Sequence, residues 1–232
     1  MGFSDAQQAY VLHLRNYTDS KKLVSLFSYE TGVLNCVARP SKRWPALQAF
    51  QPMLVHVSGK SGLKNLRSVE SGPTAAPLSG QSLYCAFYLN ELLLRALAQE
   101  QAQPLLYRAY EESLQKLSEV QLQPQLQQIL LRRFEFCLLA ELGFALDFER
   151  SADGSIIADS RARFRFEPGR GFCPEYNSAP RKDIRYFSAE QLGAIAEQRW
   201  SSESLRAAKA LVRLALPQLI GHEPLKAREL FR

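Results

Sequence analysis

The period of the apolar positions changes about a third of the way along the chain. Before that point, short apolar and β-branched runs fall at 10–14, 23–28, 33–38, 53–58 and 63–69. In the fourth run Met53, Val55 and Val57 alternate with Leu54, His56 and Ser58, the period of two that marks a half-buried strand. Turn signals stand between runs at Tyr29-Glu30-Thr31-Gly32 and Ser58-Gly59-Lys60-Ser61-Gly62. Five short strands in so little chain predict a small closed barrel, because closure removes edges that such a sheet cannot otherwise protect. The OB-fold is the commonest five-stranded solution, and its partners are single-stranded nucleic acid or oligosaccharide.

Residues 71–77, SGPTAAP, break both periods and read as a linker. Beyond it Leu83, Phe87, Asn90, Leu94 and Leu97 recur every three or four residues, which predicts an amphipathic helix over about 80–100. A second helix is expected to start at Pro104, and a third to run from about 124 to 142 and end at Gly143. The third is apolar on most sides and belongs inside a helical domain. From 147 to 187 the pattern is irregular, with one hairpin expected around RFRFE. Ser188 and Gln191 have capping-box spacing, and Leu205, Ala208, Leu211, Val212 and Ala215 predict a last long helix ending near Pro217. A short turn is expected after Pro224. The fold class is therefore α+β: an N-terminal five-stranded OB-fold barrel over 1–78, then a mainly α-helical domain over 79–232 with a loop-rich insertion.

With 46% hydrophobic and 22% charged residues, the composition is that of an ordinary globular protein. No apolar run is long enough to span a bilayer, and the polar residues 1–8 lack the pattern of a signal peptide. Cys36, Cys85, Cys137 and Cys173 lie far apart, with no CxxC, and read as reduced thiols of a cytoplasmic protein. The net charge of +6 is unevenly spread. Nine basic residues face four acidic ones over 1–80, six face eleven over 81–160, and fourteen face eight over 161–232. Two basic segments flank an acidic one, which suits a polyanion partner, nucleic acid ahead of membrane; the alternative is solvated surface charge.

Catalytic signatures are absent. GKS at 59–61 resembles the end of a P-loop, but Leu54 stands where the first glycine belongs, and a turn between strands is the better reading. His13, His56 and His222 have no partner at metal or triad spacing. Asp147, Glu149 and Asp153 could serve a divalent-metal nuclease, or simply solvate a loop.

Binding residues are better supplied. Arg39, Lys42, Arg43 and Trp44, at the end of the third strand, combine point charges with a large π face, the means by which single strands are held without strong sequence preference. Lys21, Lys22, Lys60, Lys64 and Arg67 lie in or beside other barrel strands and loops. The competing reading has Trp44 packed under the barrel and the charges solvated. In LLRRFEF, Arg132 and Arg133 interrupt an apolar helix, either snorkelling to water or flanking an apolar groove that would suit a carboxylate beside an aromatic residue.

Four segments, YVLHLRNYTDSKKLVSLFSYETG, PLSGQSLYCAFYLNELLLRAL, LRRFEFCLLAELGF and LRAAKALVRLAL…PLKARELF, resemble in order the RecO family of bacterial recombination mediators. The resemblance implies a barrel that binds single- and double-stranded DNA and a helical domain that docks the acidic, Phe-ended C-terminal tail of single-stranded-DNA-binding protein (SSB). It implies annealing of SSB-coated complementary strands and, with RecR, loading of RecA, by a monomeric, nucleoid-associated cytoplasmic protein with no chemical step. Arg132 falls in the matching LRRFE; Arg133, Arg206 and Lys209 are further candidates for the tail site. Many members carry a four-cysteine zinc site in the insertion. Here 147–187 holds only Cys173, so a degenerate zinc-finger-like region without metal is expected, and no cofactor. The family's basic loop is usually richer in Gly and Ala than VARPSKRW. Rival readings are an OB-fold adaptor for RNA or protein, and the nuclease.

Overall fold

The computed structural model describes residues 6–60, 62–158, 161–176 and 181–231; Ser61, the last residue of the GKS match, lies outside them, as do residues 1–5 of the polar start and six residues of the insertion. Five strands, β1 (Gln7–Thr18), β2 (Lys21–Ser28), β3 (Gly32–Ala38), β4 (Pro52–Ser58) and β5 (Lys64–Ser71), close a barrel in the order β1-β2-β3-β5-β4. All neighbours are antiparallel except β3 and β5, which run parallel with Ala38 opposite Leu66. The interior is a cluster of small and branched side chains, among them Val11, Val24, Leu26, Leu34, Cys36, Val55, Leu66 and Val69. The α+β expectation and its five-stranded barrel are thus met.

β1 is far longer than the expected 10–14. Its register shifts between Val11 and His13 and between Asn16 and Thr18. Bulges bend a strand and add twist, so one strand can pair with β4 through Gln7–Tyr10 and with β2 through Ala9–Thr18. The first bulge leaves the Leu12 carbonyl outside the ladder, and Asn90 Nδ2 donates to it at 2.9 Å.

Among the described residues six α-helices follow: α1 (Gly80–Ala96), α2 (Pro104–Glu119), α3 (Pro124–Glu141), α4 (Ala189–Ala196), α5 (Ser202–Ala215) and α6 (Pro217–Ile220), then a 3-10 helix over Lys226–Phe231. α1 stops short of residue 100, and Pro217 opens a further turn rather than closing the chain's helical run, as suits a residue whose missing N–H costs nothing in a first turn. β6 (Arg163–Glu167), β7 (Gly171–Glu175) and β8 (Tyr186–Ser188) form a small sheet in the order β7-β6-β8, so the RFRFE hairpin gains a third strand. The Ser188–Gln191 capping box is present, and a second, Ser201–Ser204, starts α5.

By packing, the chain forms two compact units: Met1–Gln127 together with Pro224–Arg232, and Gln128–Glu223. In the first, Tyr10 and Phe27 of the barrel meet Tyr107 and Tyr110 of α2 at ring-centroid separations of 5.3 to 6.1 Å. The final 3-10 helix returns to α1, whose Glu91 carboxylate accepts the N–H groups of Lys226 and Ala227. In the second, a run of rings ties α3 to the small sheet: Phe136 to Phe148 at 5.9 Å, Phe148 to Phe172 at 5.6 Å, and Phe172 to Phe166 at 5.5 Å.

Gly32 is fixed by a close approach. Its φ is +82°, and a β-carbon there would stand 1.9 Å from the Gln101 carbonyl oxygen of the α1–α2 connection. Gly32→Ala should therefore lower unfolding stability by about 3 kcal/mol, the sum of left-handed backbone strain and overpacking. The check is a urea titration in which the midpoint falls and the slope m stays unchanged.

Candidate functional site

Strand register gathers the basic residues of the barrel. Lys22 pairs with Ala38 across β2–β3, and Ala38 with Leu66 across β3–β5. One step further along these strands stand Lys21, Arg39 and Arg67, from three adjacent positions of the wall. Lys42 and Arg43 follow on the exposed loop after β3. Ser41 shapes that loop, its hydroxyl accepting the Arg43 N–H at 3.2 Å and its carbonyl the Trp44 N–H at 3.1 Å. Arg67 lies exposed on β5 with Nε donating to Ser58 Oγ at 2.5 Å. Trp44 is half-buried against the barrel core beside Leu47, so its ring serves packing at least in part.

Two residues extend this face that sequence patterning did not single out. Arg15 pairs with Leu23, which pairs with Val37, and Arg15 is exposed. Tyr17 is 55% exposed on the same strand. Both sit on the part of β1 past the first bulge, where the period of two slips; a strand carried through to the Asp19-Ser20 turn would have included them.

The remaining barrel candidates separate. Lys60 is exposed on the β4–β5 turn, which adjoins the Gly32 end of β3, opposite the Arg39 end. Lys64 faces inward: it is 7% exposed, and its Nζ lies 2.9 Å from Glu100 Oε2. Its charge is spent on Glu100, whose side chain stays partly exposed.

In the second unit Arg132 neither snorkels nor stands free at a rim. It is 6% exposed, Nη2 donates to Glu135 Oε1 at 2.6 Å, and Nε comes within 2.6 Å of Oε2 without the alignment of a hydrogen bond. Glu135 is fully buried, so the two charges hold one another. Arg133, next along α3, is exposed. It borders a cavity of about 550 Å³ lined by Phe136, Cys137, Leu146, Phe148, Ile195 and Trp200, with Asp147 and Glu149 also on its wall. The Trp200 indole N–H is buried there with no hydrogen-bond partner. Arg206 and Lys209 are exposed on α5 and do not line this cavity.

Groups with catalytic potential are otherwise engaged. Asp147 Oδ1 accepts the N–H groups of Glu149 and Arg150, which hold its carboxyl below the usual range. Hydrogen bonds from the Ser151 and Ser155 hydroxyls bring Asp153 down to about 2. These are turn-forming roles. Among the described residues no group of three His, Cys, Asp or Glu could hold a metal ion. The lone Cys173 of the insertion, buried in β7, does not fit the four-cysteine zinc site of many RecO proteins. Burial pushes the Cys36 thiol up to about 12, far from a reactive thiolate. Among the described residues no helix is long and apolar enough to cross a membrane.

Comparison with known proteins agrees with this architecture. The family model for the recombination protein O N terminal matches residues 3–72, and that for the recombination protein O C terminal matches 78–229. A DNA repair protein RecO of Pseudoalteromonas atlantica is 39% identical over 233 residues, covering 96% of this chain and 92% of its own. Proteins of the same name from Aliivibrio salmonicida and Pasteurella multocida are 36% and 37% identical, each over 97% of this chain and 94% and 93% of their own. A barrel of this topology, the helical remainder and these near full-length matches lead to one conclusion: the chain belongs to the RecO family of DNA repair proteins.

Proposed function

We propose that this chain is a recombination mediator without a chemical step. It binds single- and double-stranded DNA on the barrel, pairs complementary strands coated with SSB and, with RecR, promotes RecA loading. The observation that carries the reading is the convergence of Lys21, Lys22, Arg39 and Arg67 from three adjacent strands, extended by Lys42 and Arg43 on one loop and Arg15 on β1. A row of solvent-accessible cations tracks a phosphate backbone, and it offsets the repulsion between two strands so that pairing can nucleate. Tyr17 supplies an exposed ring for a base beside that row, while Trp44 divides itself between core and surface.

The SSB tail is assigned to the cavity beside Arg133. A terminal carboxylate would pair with the exposed guanidinium while the aromatic side chain enters between Phe136, Phe148 and Trp200. Arg132 supports that wall from within through Glu135 rather than touching the peptide. Arg206 and Lys209 on α5 could steer the acidic tail at longer range.

The deciding experiment is annealing of two complementary oligonucleotides coated with SSB, in EDTA and without nucleotide. Acceleration that disappears when the SSB tail is deleted supports both sites together; acceleration of naked strands alone rejects the tail site; none, with folded protein, rejects the mediator. Replacing Arg39, Lys42 and Arg43 together by Ala should reduce the slope of log K against log salt for single strands by about 2, at about 0.7 per phosphate contact; an unchanged slope, measured by anisotropy, removes that loop from the DNA site. Arg133→Ala should weaken binding of an SSB-tail peptide about tenfold, the loss of one charge-assisted hydrogen bond, with an unaltered melting temperature. Arg132→Ala should instead cost about 3–5 kcal/mol of stability by removing the cation that faces the buried Glu135 carboxylate, as read by denaturant unfolding.

A further inference from the structure

The connection between α1 and α2 grips the barrel at one particular turn. Glu100 lies there in the left-handed region, at φ +58°, which a residue with a β-carbon keeps only where its surroundings hold it. Its N–H donates to the Val33 carbonyl of β3 at 2.9 Å. Its carboxylate reaches the β4–β5 turn: Oε1 accepts the Gly62 N–H at 2.9 Å, and Oε2 accepts Lys64 Nζ at 2.9 Å. The same ammonium donates to the Lys60 carbonyl at 3.4 Å. One ion pair therefore holds main-chain atoms at 60 and at 62. The hydrogen bond from Lys64 keeps the Glu100 carboxyl below the usual range, so Glu100 is a carboxylate at neutral pH.

The gripped atoms are what give this pair a meaning beyond the fold. An ion pair with one partner at the surface is weak grounds for stability, since exposed pairs contribute little. Here the pair ends on the backbone of a turn whose only exposed cation among the described residues is Lys60. Lys64 cannot take a phosphate, because its ammonium is buried and already committed. Along β3 the turn lies beside Val33, which Glu100 also binds, and the basic cluster near Ala38, five residues or roughly 16 Å on at strand spacing, within the span of one bound oligonucleotide.

We propose that Glu100 is a positioning residue for DNA: its side-chain oxygen, steered by Lys64, clasps the Gly62 amide of the β4–β5 turn so that Lys60 is presented to a phosphate at the far end of the barrel face. This rests on the DNA-binding reading above and adds to it a contact that the acidic helix connection, rather than the basic loop, controls.

The test compares two variants of the full chain, K64M/E100Q and K64M/E100A. Neither leaves an unpaired buried charge, and they differ in whether residue 100 still offers an oxygen to the Gly62 N–H. Binding of an oligo-dT single strand is titrated over a range of salt, beside wild type, K60A and the triple variant K60A/K64M/E100A. K64M/E100Q should keep the wild-type slope. K64M/E100A should lose about 0.7 from it, as K60A does, with several-fold weaker binding. The triple variant should be no worse than K60A alone, because the two changes remove the same contact. Hydrogen exchange at the Gly62 amide should be slow in wild type and K64M/E100Q and fast in K64M/E100A. Equal slopes in the two double variants, tighter binding by K64M/E100A, or a further loss in the triple variant would overturn the clasp while leaving the DNA reading in place. Absence of salt-dependent binding by wild type would overturn the DNA reading itself, and the clasp's purpose with it.

Discussion

The Leu12 carbonyl is the point on which the first compact unit turns. Closing five short strands requires β1 to bend, and the bend is made where the ladder to β2 skips Leu12. A carbonyl freed in this way and buried costs free energy unless something donates to it. Asn90 does so from α1, and Tyr110 of α2 donates to the Asn90 oxygen at 2.6 Å, fixing which way the amide faces. Barrel curvature and the docking of two helices thus share one buried polar chain. The aromatic contacts of Tyr10 and Phe27 with α2 surround it and exclude water.

Charge in this protein divides into two populations that a sequence count mixes together. Arg15, Arg39, Lys42 and Arg43 are exposed, whereas Lys64 and Arg132 are consumed by Glu100 and Glu135. The first population sets how the surface meets a polyanion, and the second decides how rigidly pieces of backbone are held. The excess of positive charge over 1–80 is therefore partly internal architecture, drawn on by an acidic residue that lies well beyond the barrel.

The barrel was legible because its core strands obey the period of two, and the helices because their apolar stripes and caps are plain. The length of β1 was not, since both of its ends are polar and each bulge shifts the parity of the residues after it. Lys64 carried a readable signal that was outweighed by its charge: it lies two residues before Leu66 and so shares the inward face. Arg132 carried another, standing three residues before a glutamate, the spacing at which two side chains of a helix meet. What no local pattern could give is the partner across distance: Glu100 for Lys64, Asn90 for Leu12, Gln101 for Gly32. Those pairings depend on how the α1–α2 hairpin lands on the barrel, a property of packing rather than of any window of sequence.

The return of residues 224–231 to α1 sets an order of assembly. Glu91 waits for the amides of Lys226 and Ala227, and Arg95 Nη1 for the Pro224 carbonyl, across more than a hundred residues of chain. During synthesis, every residue of the second unit leaves the ribosome before the last piece of the first arrives. The barrel with its two helices must therefore wait for a time with one side of α1 uncovered. A chain cut just after residue 223 would carry its lesion in the unit made first.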